Sequence, residues 1–136
     1  MQIAILILAL AINSLFAQTD SINANKSIYT QLYNSKGKRL DCKSYAKVKI
    51  GEIKSIEKII TNHDDCIVRS YDILFIHPQK RSIKLKSNSA LLFGEIKREM
   101  LNSKTGCKIF ITKVNVYCKN DESMQIAKPI RIEIID

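Results

Sequence analysis

A chain of 136 residues, 46% hydrophobic and 26% charged, is long enough to bury one core and too short for several domains. That apolar content excludes a wholly disordered chain. Lys and Arg outnumber Asp and Glu by 22 to 13, a formal net charge of +9, so a partner attracted through charge would be anionic.

Residues 3–12 form an unbroken apolar run, and the chain turns polar at Thr19 after the small residue Ala17. This is the layout of a secretory leader cut after Ala17 or Gln18. The expected division is a signal peptide at 1–18 and a single β-rich domain at 19–136. Two features depart from the usual leader: no Lys or Arg precedes the run, and Leu15 stands where a small residue is usual. The run is shorter than the roughly 20 residues of a spanning helix. No Cys lies at the cut, which argues against a lipid anchor there. The leader is uncharged, so the whole net charge belongs to the remainder.

Residues 28–33 read as a strand. Asn34-Ser35-Lys36-Gly37-Lys38 reads as a turn in which Gly37 takes positive φ. Over residues 40–50, Cys42, Ser44, Ala46, Val48 and Ile50 alternate with Lys43, Tyr45, Lys47 and Lys49. That is a strand with one buried face and one wet, basic face. After Gly51, Ile53, Ile56 and Ile60 recur at helical spacing opposite Glu52, Lys54, Glu57 and Lys58, which predicts a short amphipathic helix. Residues 61–65 are a polar loop.

Residues 66–77 alternate little, as a central strand does. A turn at 78–81 leads to a short strand at 82–86 carrying Lys84 and Lys86 together. Ser87-Asn88-Ser89 offers N-caps for a helix over 90–102, with the stripe Leu92, Phe93, Ile96, Met100 and Leu101 beside it. Gly106 is a natural terminator. Residues 108–118 form a long strand, with Phe110, Val114 and Val116 on one side and Ile109, Ile111 and Tyr117 on the other. A hairpin turn at 119–123 precedes a last strand over 126–135, with Ile126, Ile130, Ile132 and Ile134 on one face. Pro129 cannot donate to a ladder, so this strand is at an edge or bulged there. The expected fold class is α+β, β-rich: an antiparallel β-sandwich-like domain of five to six strands with one or two short helices.

Four cysteines, Cys42, Cys66, Cys107 and Cys118, are disulfide candidates in an exported domain. Their wide spacing contains no zinc-type pair. Cys107 and Cys118 bracket one extended strand and would lie over ~30 Å apart, beyond disulfide reach. Antiparallel strands would bring Cys66 to Cys118, while Cys42–Cys66 competes.

Catalytic signatures are lacking. No GxSxG, HExxH or phosphate-cradling loop is present, and the four glycines do not cluster. His63-Asp64-Asp65 has ligand chemistry, but such residues are common in turns for their hydrogen bonds. His77, before Pro78, reads as structural. Cys66 near His63 resembles a nucleophile with its base, and a disulfide is its expected fate in an oxidising compartment. No catalytic residue, metal or cofactor is expected.

Residues 68–136 carry an ordered set of features. Val68-Arg69-Ser70-Tyr71-Asp72-Ile73 is an apolar-Ser-aromatic strand. A basic turn, a polar cap and the helix ending at Leu101 follow. Lys104-Thr105-Gly106 steps into Ile109-Phe110-Ile111, and an Asn/Asp-rich turn leads to Pro129-Ile130-Arg131-Ile132-Glu133-Ile134. This stretch resembles the C-terminal domain of the gliding-motility and type IX secretion shaft protein family of the Bacteroidota. The resemblance implies a free-standing, protein-binding β module of the cell envelope, periplasmic or secreted. The cysteines depart from the family pattern. The expected partner is an envelope or secreted protein, an acidic one suiting the basic face Lys43, Lys47, Lys49, Lys84 and Lys86. Nucleic acid is not expected, nor is an integral membrane segment after processing. An exported inhibitor or small-ligand-binding β domain is the alternative.

Overall fold

The computed structural model of the protein describes residues 27–40 and 44–136. The leader, Cys42 and Lys43 lie outside the described residues. The chain order is β1 (Thr30–Asn34), β2 (Arg39–Leu40), β3 (Tyr45–Lys49), α1 (Ile50–Lys54), β4 (Ile56–Thr61), β5 (Cys66–Ile76), β6 (Ile83–Ser87), α2 (Gly94–Asn102), β7 (Lys108–Cys118), β8 (Ser123–Ala127) and β9 (Ile130–Ile135). The fold is α+β and β-rich, as the alternating segments require.

Two sheets result. The smaller has the order β2-β1-β4. The larger has the order β3-β9-β7-β5-β6, with β8 also paired to β7. Most pairs are antiparallel, while β3 runs parallel to β9. Register sorts the side chains of the large sheet into rows. Leu85, Ile73, Ile111 and Ile130 form one inward row, and Ile83, Phe75, Ile109, Ile132 and Ala46 form the next. These residues join Leu32, Ile53, Ile56, Ile59, Ile96 and Met100 in a single core cluster. The small sheet and both helices therefore lie against the inner face of the large sheet. A fully buried Ile or Phe in such a cluster contributes roughly 1.5–3 kcal/mol over an exposed one.

Five local expectations are corrected. The helix predicted from Ile53, Ile56 and Ile60 is only α1, after which the β-branched segment of β4 pairs with β1. Ile56, Ile59 and Thr61 are its buried residues. The helix predicted from Ala90 begins at Gly94, because Ala90–Leu92 bonds to β4 instead: Ile59 N–H donates to Ala90 O and Leu92 N–H to Glu57 O, both at 2.8 Å. The serine caps serve a turn, with Ser89 N–H donating to Ser87 Oγ.

The long strand β7 changes phase. Ile109 and Ile111 point inward before Lys113, whose φ is 50°, and Val114 and Val116 point inward after it. Phe110 and Tyr117 are thus on the outer face. Its neighbour changes phase at the same level. Ala127 and Ile130 are both buried across Lys128-Pro129, so Ile126 is 73% exposed instead of sharing a face with Ile130. Pro129, expected to mark an edge strand or a bulge, lies in the break between β8 and β9, and β9 is an interior strand between β3 and β7.

Candidate binding face

The outer face of the large sheet brings together four of the five lysines expected to form a basic face. Lys47 and Lys49 project from the edge strand β3, and Lys84 and Lys86 from the opposite edge strand β6. The fifth, Lys43, lies outside the described residues. Register fills the space between them. One outer row reads Lys84, Leu74, Phe110, Arg131, Tyr45, and the next reads Ile76, Lys108, Glu133, Lys47. Leu74, Ile76 and Phe110 are half-buried, and Arg131 and Tyr45 are exposed. The face is a partly apolar floor between two cationic edges.

Arg131 has two aromatic neighbours on this face. Its guanidinium lies 5.3 Å from the Tyr45 ring centroid and 5.5 Å from that of Phe110. Cation–π attraction holds the planar group against both rings. Tyr45 donates its hydroxyl proton to Glu133 at 2.5 Å. That hydrogen bond pulls Glu133 below the usual carboxylate range, aided by Lys47, Lys108 and Arg131. The same contact raises Tyr45. Farther along, the Asp72 carboxylate is nine-tenths buried, with Lys84 at 3.9 Å and Lys113 at 3.8 Å.

The outer face continues toward the other end of β5 and β7 in a different chemistry. Ile67, Tyr117 and Met124 are register partners there, with Ile126 beside them and Arg69 over the Tyr117 ring at 5.7 Å. Met124 and Ile126 are 61% and 73% exposed. This half is apolar, and the half around Arg131 is cationic.

Cys66 and Cys118 face each other at the end of the β5·β7 ladder and form a disulfide. The competing Cys42–Cys66 pairing is thereby excluded. Cys107, also a disulfide candidate, is a buried free thiol. It leads into β7 from the end opposite the disulfide, with no partner cysteine beside it among the described residues. Cys42 lies outside them. No helix among the described residues is long and apolar enough to cross a membrane.

Both histidines have polar partners among the described residues. His63 Nε2 lies 3.0 Å from Ser27 O, and Asp64 pairs with Arg39 at 2.7 Å. The Asp65 carboxylate and the Cys66 and Cys118 sulfurs lie within 4.8 Å of one another. The two sulfurs are bonded together, so neither is a thiolate able to ligate a metal. His77 stacks on Phe75 and pairs with Glu99 at 3.2 Å, beside a cleft of about 240 Å³ lined by polar and charged groups such as Gln79, Lys80, Asn102 and Lys104.

Sequence reasoning put Tyr45 on the wet side of its strand but missed Arg131, Lys108 and Phe110 as parts of the face. The signal was present in Ile130-Arg131-Ile132-Glu133-Ile134, whose alternation puts Arg131 and Glu133 outward together. What the sequence could not supply was the neighbour relation of β3, β9 and β7. No family model and no curated protein matches the chain.

Proposed function

We propose that the protein is an exported, non-enzymatic docking module of the bacterial cell envelope, binding a protein partner on the outer face of its large sheet. The carrying observation is that face itself. It combines cations on β3, β6, β7 and β9 with a half-buried apolar floor, while the small sheet and helices occupy the other side. An apolar centre with a charged rim is the anatomy of protein interfaces, and Arg and Tyr are enriched among their energetic anchors. The leader-like residues 1–18 and the Cys66–Cys118 disulfide support an oxidising, periplasmic or extracellular location. The resemblance of residues 68–136 to the shaft domain of the gliding and type IX secretion machinery supports an assembly role there.

The test is affinity capture from envelope extract with the wild-type protein and with Lys84→Glu/Lys86→Glu, read by mass spectrometry. A partner recovered by the wild type and lost with the charge-reversed face supports the reading. Recovery of nothing above background at low salt, or a partner set that the reversal leaves unchanged, overturns it.

A further inference from the structure

Lysines on β3 and β6 have a simple structural use. Both are edge strands, and lysine on an edge deters pairing with another chain. Arg131 and Lys108 have no such use, because β9 and β7 are flanked by strands on both sides. They place positive charge on interior strands of the sheet, where edge protection is not needed.

We infer that the partner docks through an acidic polypeptide segment, and that Arg131 is the anchor that receives one of its carboxylates. This rests on the docking-face reading above and names the chemistry of the partner. The guanidinium already lies over the Tyr45 and Phe110 rings, so less side-chain freedom is lost when a ligand binds. Among the described residues its N–H donors meet no hydrogen-bond acceptor. A planar fork of donors matches a carboxylate in two parallel hydrogen bonds. Arg131, Lys47 and Lys108 surround a single carboxylate, Glu133, whose hydrogen bond from Tyr45 keeps it in place. The site is therefore cationic after its internal acid is counted. Phe110 beside it and Leu74 next in the row are half-buried, so the segment carries apolar side chains between its acids. A purely charged polymer or a lipid headgroup layer would engage the lysines and leave that floor unused.

The experiment titrates the purified protein with three probes: a soluble peptide alternating Glu and Val, poly-glutamate, and phosphatidylglycerol vesicles. The alternating peptide is expected to bind more tightly than poly-glutamate. Arg131→Gln weakens it at least ~10-fold, the scale of an interface anchor, with an unchanged melting temperature as the folding control. Arg131→Lys recovers only part of the loss, because the charge returns without the fork. Lys86→Gln costs less than about 3-fold, as exposed rim charges do. Glu133→Gln tightens binding by removing the competing carboxylate.

Equal loss in Arg131→Gln and Lys86→Gln overturns the inference, since it reports bulk charge alone. Binding to the vesicles without binding to the peptide overturns it in favour of a lipid surface. A captured envelope partner that Lys84→Glu/Lys86→Glu loses and Arg131→Gln keeps leaves the docking face standing and removes the acidic anchor. Insensitivity to both variants removes both.

Discussion

The hydrogen bond between Tyr45 and Glu133 shifts the titration of both groups. Glu133 is held below its ordinary value first by the Tyr45 hydrogen bond, then by the cations around it. A carboxyl depressed in the folded state contributes stability above its unfolded value, and loses it as pH falls through the folded one. Tyr45 is raised, so its contribution is present below its ordinary value and is lost as pH rises beyond it. Tyr45→Phe is expected to move Glu133 upward toward the usual carboxylate range, followed by carboxyl-carbon NMR titration. A Glu133 titration that does not move in the variant would show that the lysines and Arg131 alone set its charge. Cys107 is governed differently. Burial pushes its thiol up, and full enclosure shields it from reagents. In a Cys42→Ser background, a thiol reagent should find no reactive cysteine in the native protein and one after unfolding without reductant. Rapid native labelling would mean that the packing around Cys107 opens readily.

At the scale of elements, the phase change in β7 decides which side chains the face displays. Lys113 sits at φ 50°, a conformation that costs a side-chain-bearing residue about 1 kcal/mol or more. Lys113→Gly relieves that strain and adds chain entropy, so its net effect on denaturant stability should stay within about 1 kcal/mol of zero. Lys113→Ile, β-branched at the same φ, should cost roughly 1–3 kcal/mol. Equal stabilities for the two would mean that the strand runs through without the kink. The kink also explains what the sequence could and could not reveal. Strand existence was legible in β5, β7 and β9 because apolar and β-branched residues dominate them, and in β3 because inward positions alternate with lysines. The phase within β7 was not, because Ile109, Phe110 and Ile111 are apolar on both parities and either face could have taken them. In Ile53, Ile56 and Ile60 the helical spacing arose where a short helix runs straight into a strand. The two turn-forming serines, Ser87 and Ser89, carry the same chemistry in a turn as at a helix cap. Lys47, Lys49, Lys84 and Lys86 were legible as wet positions, but their sharing one face depended on the strand order β3-β9-β7-β5-β6.

Over the whole molecule, the disulfide and the proposed docking cluster stand at opposite ends of the same ladder. Cys66 pairs with Cys118 at one end of β5 and β7, and Ile76 pairs with Lys108 at the other. The strands rise about 3.3 Å per residue, so roughly 30 Å separates the disulfide from the cluster around Lys108 and Arg131. The bond spans 52 residues of sequence, a segment that contains β6 and α2 as well as both paired strands. Closing a loop of that size restricts the unfolded chain by an amount worth about 4 kcal/mol in the chain-entropy description. That is a large part of the 5–15 kcal/mol typical of a domain. Cys66→Ala/Cys118→Ala is therefore expected to lower urea stability by about 2–4 kcal/mol while leaving the fold intact at low temperature. Substitutions this far apart, with no shared partner, act independently. The folded variant should then bind the acidic peptide with wild-type affinity, and only its melting temperature should fall. Loss of peptide binding in a sample that circular dichroism shows to be folded would mean that the disulfide sets the shape of the distant face, and that the two ends of the ladder are coupled through β5 and β7.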